Sequence, residues 1–370
     1  MFKFADANIT GQSVKSLDGQ DISALNFTGR NLYYKNGYYG QGVIIAVLDT
    51  GISSHVEFEN RVLVGKNTNS LYSDSNNVTD DFTGCYHGTH VSGIIAGKNV
   101  GVAPQAKILP VKVLGSDGSG SIADIINGLK FVRDWRGVNG EKVDIVNMSL
   151  GCPESYFKTN MGIFNEFKTI ITELVNAGIV VLVAAGNSGV EEVIYPAYFN
   201  DVVTVGAVDI YRKVAYFSTK SNEVDICQNG VNILSCQPNN EYVLMSGTSM
   251  ATPMAAGIAA LIISKYKTMF GKYMPENVIY ETLKLNTVDI GVPGIDKDSG
   301  AGFCSLNPYP CRIELFLNNP VMYANSKYVM LDVTPQIINN RTMVPIRAPF
   351  ESAGATVSWD AKLQKVIIDF

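Results

Sequence analysis

No apolar run in the 370-residue sequence approaches the roughly 20 residues that crossing a bilayer requires; the longest are Ile179 to Ala185 and Ala255 to Ile263. Membrane insertion is therefore not expected. The 29 basic and 34 acidic residues form no Lys/Arg block, and with a net charge of -5 nothing is set up to neutralise phosphates or grip anionic lipid. Nucleic acid and membrane surfaces are set aside as partners. The opening residues, MFKFADANITG, lack the basic and long apolar regions of a secretory leader. Histidine is scarce as well: His55, His87 and His90 are all there is, so imidazole chemistry has few candidates and none beyond residue 90. The six cysteines (Cys85, Cys152, Cys227, Cys236, Cys304, Cys311) lack zinc-ligand spacing and have no histidine beside the close pairs Cys227/Cys236 and Cys304/Cys311. Their even number leaves disulfides and buried free thiols both open.

What is present points to a folded protein, since 46% of residues are hydrophobic and only 17% charged. Short β-branched runs (Val43 to Leu48, Ile108 to Val113, Val143 to Met148, Ile179 to Ala184, Val202 to Val205) alternate with helical stretches (His87 to Ala96, Ser121 to Arg133, Ile163 to Ala177). Continuous apolar strands separated by helices predict an α/β fold, a mainly parallel β-sheet flanked by helices on both faces. Residues 42–307 carry this pattern as one large domain. Residues 1–41 are polar and weakly periodic, and read as an extension laid over its surface. Beyond Asn307 the sequence NPYPCR marks a boundary, and residues 311–370 read as a small α+β domain with strands near Ile313, Tyr328 and Val366 and one short helix from Ala348.

In such sheets functional groups gather beyond the carboxyl ends of the strands. Asp49 ends the strand VIIAVLD, where a buried carboxylate is costly without a partner; a turn cap by Asp-Thr-Gly is the alternative. His87 and His90 open a helical run as HGTH, which also suits a helix-terminal polar cluster, and suits a metal pair poorly for want of further ligands. Ser249 stands in MSGTSMATP at the start of a buried helix spanning Thr248 to about Lys267. A serine hydroxyl becomes a nucleophile only when a neighbouring base takes its proton and a third group holds that base in the right tautomer. Asp49, His87 and Ser249 supply those three roles, and a helix N-terminus favours the anion formed in acyl transfer.

Together LDTGI at Asp49, HGTHVSG at His87 and GTSMATP at Ser249 resemble, in order, the three motifs of the subtilisin-like serine proteases, over about Gly42 to Asn307. The resemblance implies a serine endopeptidase acting on polypeptides through an Asp-His-Ser triad and an acyl-enzyme, with no metal or cofactor in the chemistry. It implies that Asn187, in VAAGNSG, is an oxyanion-hole donor, and that Gly118 together with Ser149, Leu150 and Gly151 walls a peptide-binding cleft. Ile194 falls where a small residue often opens the specificity pocket, which implies a shallow pocket for small or medium apolar side chains. The alternative is a catalytically restrained member serving as a binding or regulatory module. An esterase built on a G-x-S-x-G elbow would place histidine last, and here it precedes serine.

Departures from the family qualify this. The loop after His87 reaches GVAP early, so the main structural calcium site, to which Glu57 would contribute, is expected to be missing or weak; weaker calcium sites stay open. Tyr86 and Cys152 replace glycines, and Cys85 and Cys152 flank the expected cleft. The roughly forty residues before the catalytic region are too short for a pro-domain of the family's usual size, so either a trimmed form or a member that folds without one is expected. The C-terminal residues, with NNRTMVPIR and GATVSWD, resemble the stalk domain named after copper amine oxidases, an interaction or spacer module; with no histidine there, an imidazole copper site is not available. Arg341 and Arg347 are expected to form salt bridges within it, contact with a partner being the alternative. The stalk-like segment and even cysteine count favour a secreted or cell-surface location, while the missing leader points to the cytoplasm.

Overall fold

A computed structural model describes residues 2–4, 8–9, 11, 13–158, 160–307, 313–315, 317–324, 327–339, 341–352, 356–360 and 365–369. The chain divides into two units, Met1–Leu306 and Asn307–Phe370.

The first unit is built on a nine-stranded sheet. From one edge the strands run Thr287–Val288, Phe303–Cys304, Ile226–Asn229, Val203–Val208, Val180–Ala184, Ile145–Met148, Ile44–Asp49, Lys107–Lys112 and Lys66–Asn67. All neighbours are parallel except the first pair. Strand Ile44–Asp49 lies inside, with Ile45 opposite both Ile108 and Ile145. All six of its residues are buried, and their alternation splits them between two cores. Ile45 and Val47 join the core beneath helices His87–Ala96 and Thr248–Phe270; Ile44, Ala46 and Leu48 join the one beneath Ile122–Asp134 and Met161–Asn176. This is the expected α/β arrangement with helices on both faces. Helix Ile122–Asp134 begins where Ser121 and Asp124 cap each other's backbone N–H groups reciprocally.

Residues before 42 are more integrated than a surface extension. Helices Ser23–Phe27 and Arg30–Lys35 bury Leu25 and Arg30, whose guanidinium donates to Gly101 O. Short strands Phe2–Phe4 and Asn8–Ile9 pair with the body of the unit. With too few residues to show a period, these elements left no pattern to read.

The second unit has a three-stranded meander (Ile313–Leu315, Val321–Ala324, Lys327–Met330), hairpins Gln336–Ile338/Arg341–Met343 and Thr356–Asp360/Lys365–Asp369, and helix Arg347–Ser352. It is the small α+β region expected. Met322 and Leu331 form its buried centre, and Arg347 pairs with Glu351 one helical turn on at 3.5 Å.

Candidate active site

Asp49 is the last residue of its strand and His87 the first of its helix, and both are fully buried. His87 Nδ1 donates to Asp49 Oδ1 at 2.8 Å, and the same oxygen accepts from Thr50 N–H at 2.7 Å. The turn after Asp49 is docked on the helix start: Thr50 Oγ1 accepts from Gly88 N–H at 2.9 Å, and Thr89 Oγ1 accepts from Ser53 N–H at 3.0 Å. A Cβ on Gly88 would stand 2.2 Å from Gly51 O, so only glycine permits this approach. Asp80, buried and pushed above the usual carboxylate range by desolvation, accepts from both Thr89 N–H (2.9 Å) and Thr89 Oγ1 (2.7 Å). Tyr86 enters the helix with φ 48 and ψ 53, the left-handed region that explains why glycine is common there.

The second histidine of HGTH does a different job. His90 Nε2 donates to Val243 O at 3.0 Å, and burial lowers its pKa to about 3, which keeps it neutral. His55 is likewise tied to backbone, through Glu241 O and Glu57 N–H.

Ser249 is the second residue of helix Thr248–Phe270. Its Oγ donates to Ser149 O at 3.2 Å, and Ser149 Oγ returns a bond to Ser249 O at 3.0 Å. Asn147 Nδ2 donates to Ser149 Oγ at 3.1 Å. Asn187 follows strand Val180–Ala184, and its Oδ1 accepts from Thr248 N–H and Thr248 Oγ1, both at 2.9 Å. Because the backbone N–H can only donate, this fixes the amide's orientation and turns Nδ2 to the opposite side. Thr248 has no chemistry of its own, and its place in GTS beside Ser249 is the one signal of it in the sequence.

A second, four-stranded sheet holds most of the residues expected to wall a cleft. Its order is Ile194–Tyr195, Leu150–Pro153, Phe2–Phe4, Ser119–Gly120, all antiparallel. Gly118 sits in the turn before Ser119, with φ 73; Leu150 and Gly151 lie in the second strand and Ser149 just before it. The chain's own strand Phe2–Phe4 therefore runs between the two expected walls, with Lys3 opposite both Ser119 and Gly151. Past the candidate nucleophile's turn, Asn8 and Ile9 pair with Ser246 and Met245.

Cys85, Cys152, Cys227, Cys236 and Cys304 are buried, free thiols; Cys311 lies outside the described residues. Burial raises them all, Cys152 and Cys304 to about 12, so none is a ready thiolate. At the expected calcium acid, Glu57 accepts from Asn99 N–H (2.6 Å), Asn99 Nδ2 (2.9 Å) and Tyr242 OH (2.8 Å). Arg61 donates to Glu57 O and Ala96 O, placing a guanidinium where carbonyls converge. Among the described residues no group of three or more His, Cys, Asp or Glu side chains could hold a metal, and no helix is long and apolar enough to cross a membrane.

The profile of the subtilase family matches residues 40–302. The chain belongs to the subtilase family. It is a serine endopeptidase, two of its relatives are named serine proteases, and subtilases need no cofactor for their chemistry. The major intracellular serine protease of Bacillus subtilis (strain 168) is 36% identical over 271 residues, covering 70% of this chain and 80% of the relative. An intracellular serine protease of Paenibacillus polymyxa is 37% identical over 263 residues, covering 68% and 76%. Subtilisin E of Bacillus subtilis (strain 168) is 40% identical over 245 residues, covering 64% and 59%. Outside the subtilase region, the copper amine oxidase N-terminal domain profile matches residues 311–368.

Proposed function

We propose that Asp49, His87 and Ser249 are the catalytic triad of this subtilase and that Asn187 Nδ2, with Ser249 N–H, binds the oxyanion. The observation that carries the reading is the buried 2.8 Å contact between His87 Nδ1 and Asp49 Oδ1. Asp49 then holds His87 in the tautomer whose Nε2 accepts a proton. Ser249 Oγ attacks the scissile carbonyl carbon as its proton passes to His87 Nε2. The oxyanion forms against Asn187 and the helix N-terminus. Collapse breaks the C–N bond, and His87 gives its proton to the leaving amine. Water attacks the acyl-enzyme, losing a proton to His87, which returns it to Ser249 as the acid departs.

Gly118, Ser149, Leu150, Gly151 and Ile194 form the substrate walls in this reading. Main-chain pairing by strand addition is supported by the chain's own strand Phe2–Phe4, which already makes it on both sides. The same strand favours the second reading in a limited form, a peptidase restrained by its own N-terminal segment. The C-terminal unit acts as a spacer or interaction module. Relatives named as intracellular proteases, together with free buried thiols, favour an intracellular place of action over export.

Casein and peptide hydrolysis by the wild type and by Ser249→Ala, with fluorophosphonate labelling of each, tests the assignment. Hydrolysis and labelling are expected in the wild type and lost in the variant. A folded wild type that neither cleaves nor labels overturns it.

A further inference from the structure

The side chain just before the scissile bond must enter the cleft on the face that carries Gly151. A peptide pairing with Leu150–Pro153 as Phe2–Phe4 does runs antiparallel to it, with successive residues opposite Gly151 and Leu150. The next residue of such a peptide stands opposite Ser149, whose carbonyl accepts from Ser249 Oγ, so its own carbonyl carbon is the one within the nucleophile's reach. Side chains alternate along a strand, so the residues opposite Ser149 and Gly151 share a face.

Ile194 already occupies that face. It pairs with Pro153, which puts it diagonal to Gly151 across the ladder. Its Cγ2 lies 2.6 Å from where a Cβ on Gly151 would be, and its Cγ1 3.3 Å from the corresponding point on Gly186. The isoleucine thus bridges the two glycines that border the space beside Asn187. Neither wall is free to draw back. Gly186 N–H is tied to Thr248 Oγ1 at 3.2 Å. Behind Ile194, Tyr195 pairs with Cys152 and packs its ring on Phe157, Phe164 and Phe199, with centroids 5.3, 5.1 and 4.9 Å away.

We propose that Ile194 closes the pocket for the residue preceding the scissile bond, so that the enzyme cleaves after glycine and alanine and rejects larger side chains, aromatic ones above all. This rests on the peptidase reading and narrows its substrate class from the small or medium apolar residues that the sequence suggests.

Peptide p-nitroanilides differing only in a final Gly, Ala, Leu or Phe test it with the full chain. Pockets distinguish side chains by roughly 10- to 200-fold per methylene, so kcat/KM for Ala is expected to exceed that for Phe by about 10² or more. Ile194→Gly is expected to shift the Phe-to-Ala ratio upward by about 10². Wild type that cleaves after Phe as well as after Ala overturns the inference while leaving the peptidase reading standing. Hydrolysis of none of the four, with no fluorophosphonate labelling, removes both. Should Ile194→Gly fail to fold, peptidyl boronic acids ending in Ala or Phe read the same pocket in the wild type: tighter inhibition by Ala supports the plug, and equal inhibition refutes it.

Discussion

Thr248 stands beside the proposed nucleophile, Ser249, and holds the proposed oxyanion donor, Asn187. Its hydroxyl supplies one of the two bonds that hold Asn187 Oδ1, and it also accepts from Gly186 N–H. A hydrogen bond of this kind is worth about 1 kcal/mol, a change in rate of about fivefold when it serves only the transition state. Thr248→Val should therefore lower kcat about fivefold with KM little changed, and Thr248→Ser should restore it in steady-state assays. His90 sets a different limit. Its folded pKa of about 3 lies below the ordinary 6.5, so between those values the unfolded chain holds a proton that the folded chain does not. Stability then falls as pH drops through that window, by up to about 1.4 kcal/mol per pH unit from this group. Urea midpoints measured across the window should fall accordingly, and His90→Gln should flatten the dependence. The triad candidates were legible because LDTGI, HGTHVSG and GTSMATP resemble, in order, the three motifs of the family. Thr248 and Asp80 were not, because a hydroxyl or carboxylate that acts by holding another side chain carries no spacing of its own.

At the scale of elements, long strands and helices were legible and short ones were not. A buried six-residue strand such as Ile44–Asp49 writes itself as an apolar run, whereas Phe-Lys-Phe carries no period and gains its place only from two partners distant in sequence. That placement has a kinetic consequence. If Gly118 and Ser149 to Gly151 wall the substrate cleft as proposed, a substrate has to displace Phe2–Phe4, which then competes intramolecularly. Lys3→Pro removes an N–H from an inner strand position where proline is excluded, so kcat/KM on short peptides should rise several-fold, to about tenfold, given about 1 kcal/mol per ladder bond. An unchanged rate, with unchanged fluorophosphonate labelling, would mean that the strand does not compete. The loop after helix His87–Ala96 is also an element with its own device. Arg61 caps Ala96 O and Glu57 O from a position with no warning in the sequence. Arg61→Met should cost about 2 kcal/mol, read as a lower urea midpoint.

Over the whole molecule, every candidate catalytic and cleft residue lies in the unit Met1–Leu306. That unit closes on itself at its end, with Leu306 N–H donating to Thr28 O at 2.8 Å and Ser305 Oγ to Phe27 O at 2.9 Å. A chain ending at Asn307 should keep kcat/KM on small peptides within about twofold of the full chain, since nothing in the proposed chemistry is drawn from the second unit. The change of composition at NPYPCR made this division readable. The thiols were harder to place from sequence, because pairing depends on geometry that spacing does not encode. Five of them, buried and unbridged, mean that the large sheet and both its helical layers hold by packing, hydrogen bonds and ion pairs such as Lys267–Asp144, without disulfides among the described residues. A fold held without cross-links among its described residues can form without an oxidant or a disulfide isomerase, and a reductant has no bridge there to open.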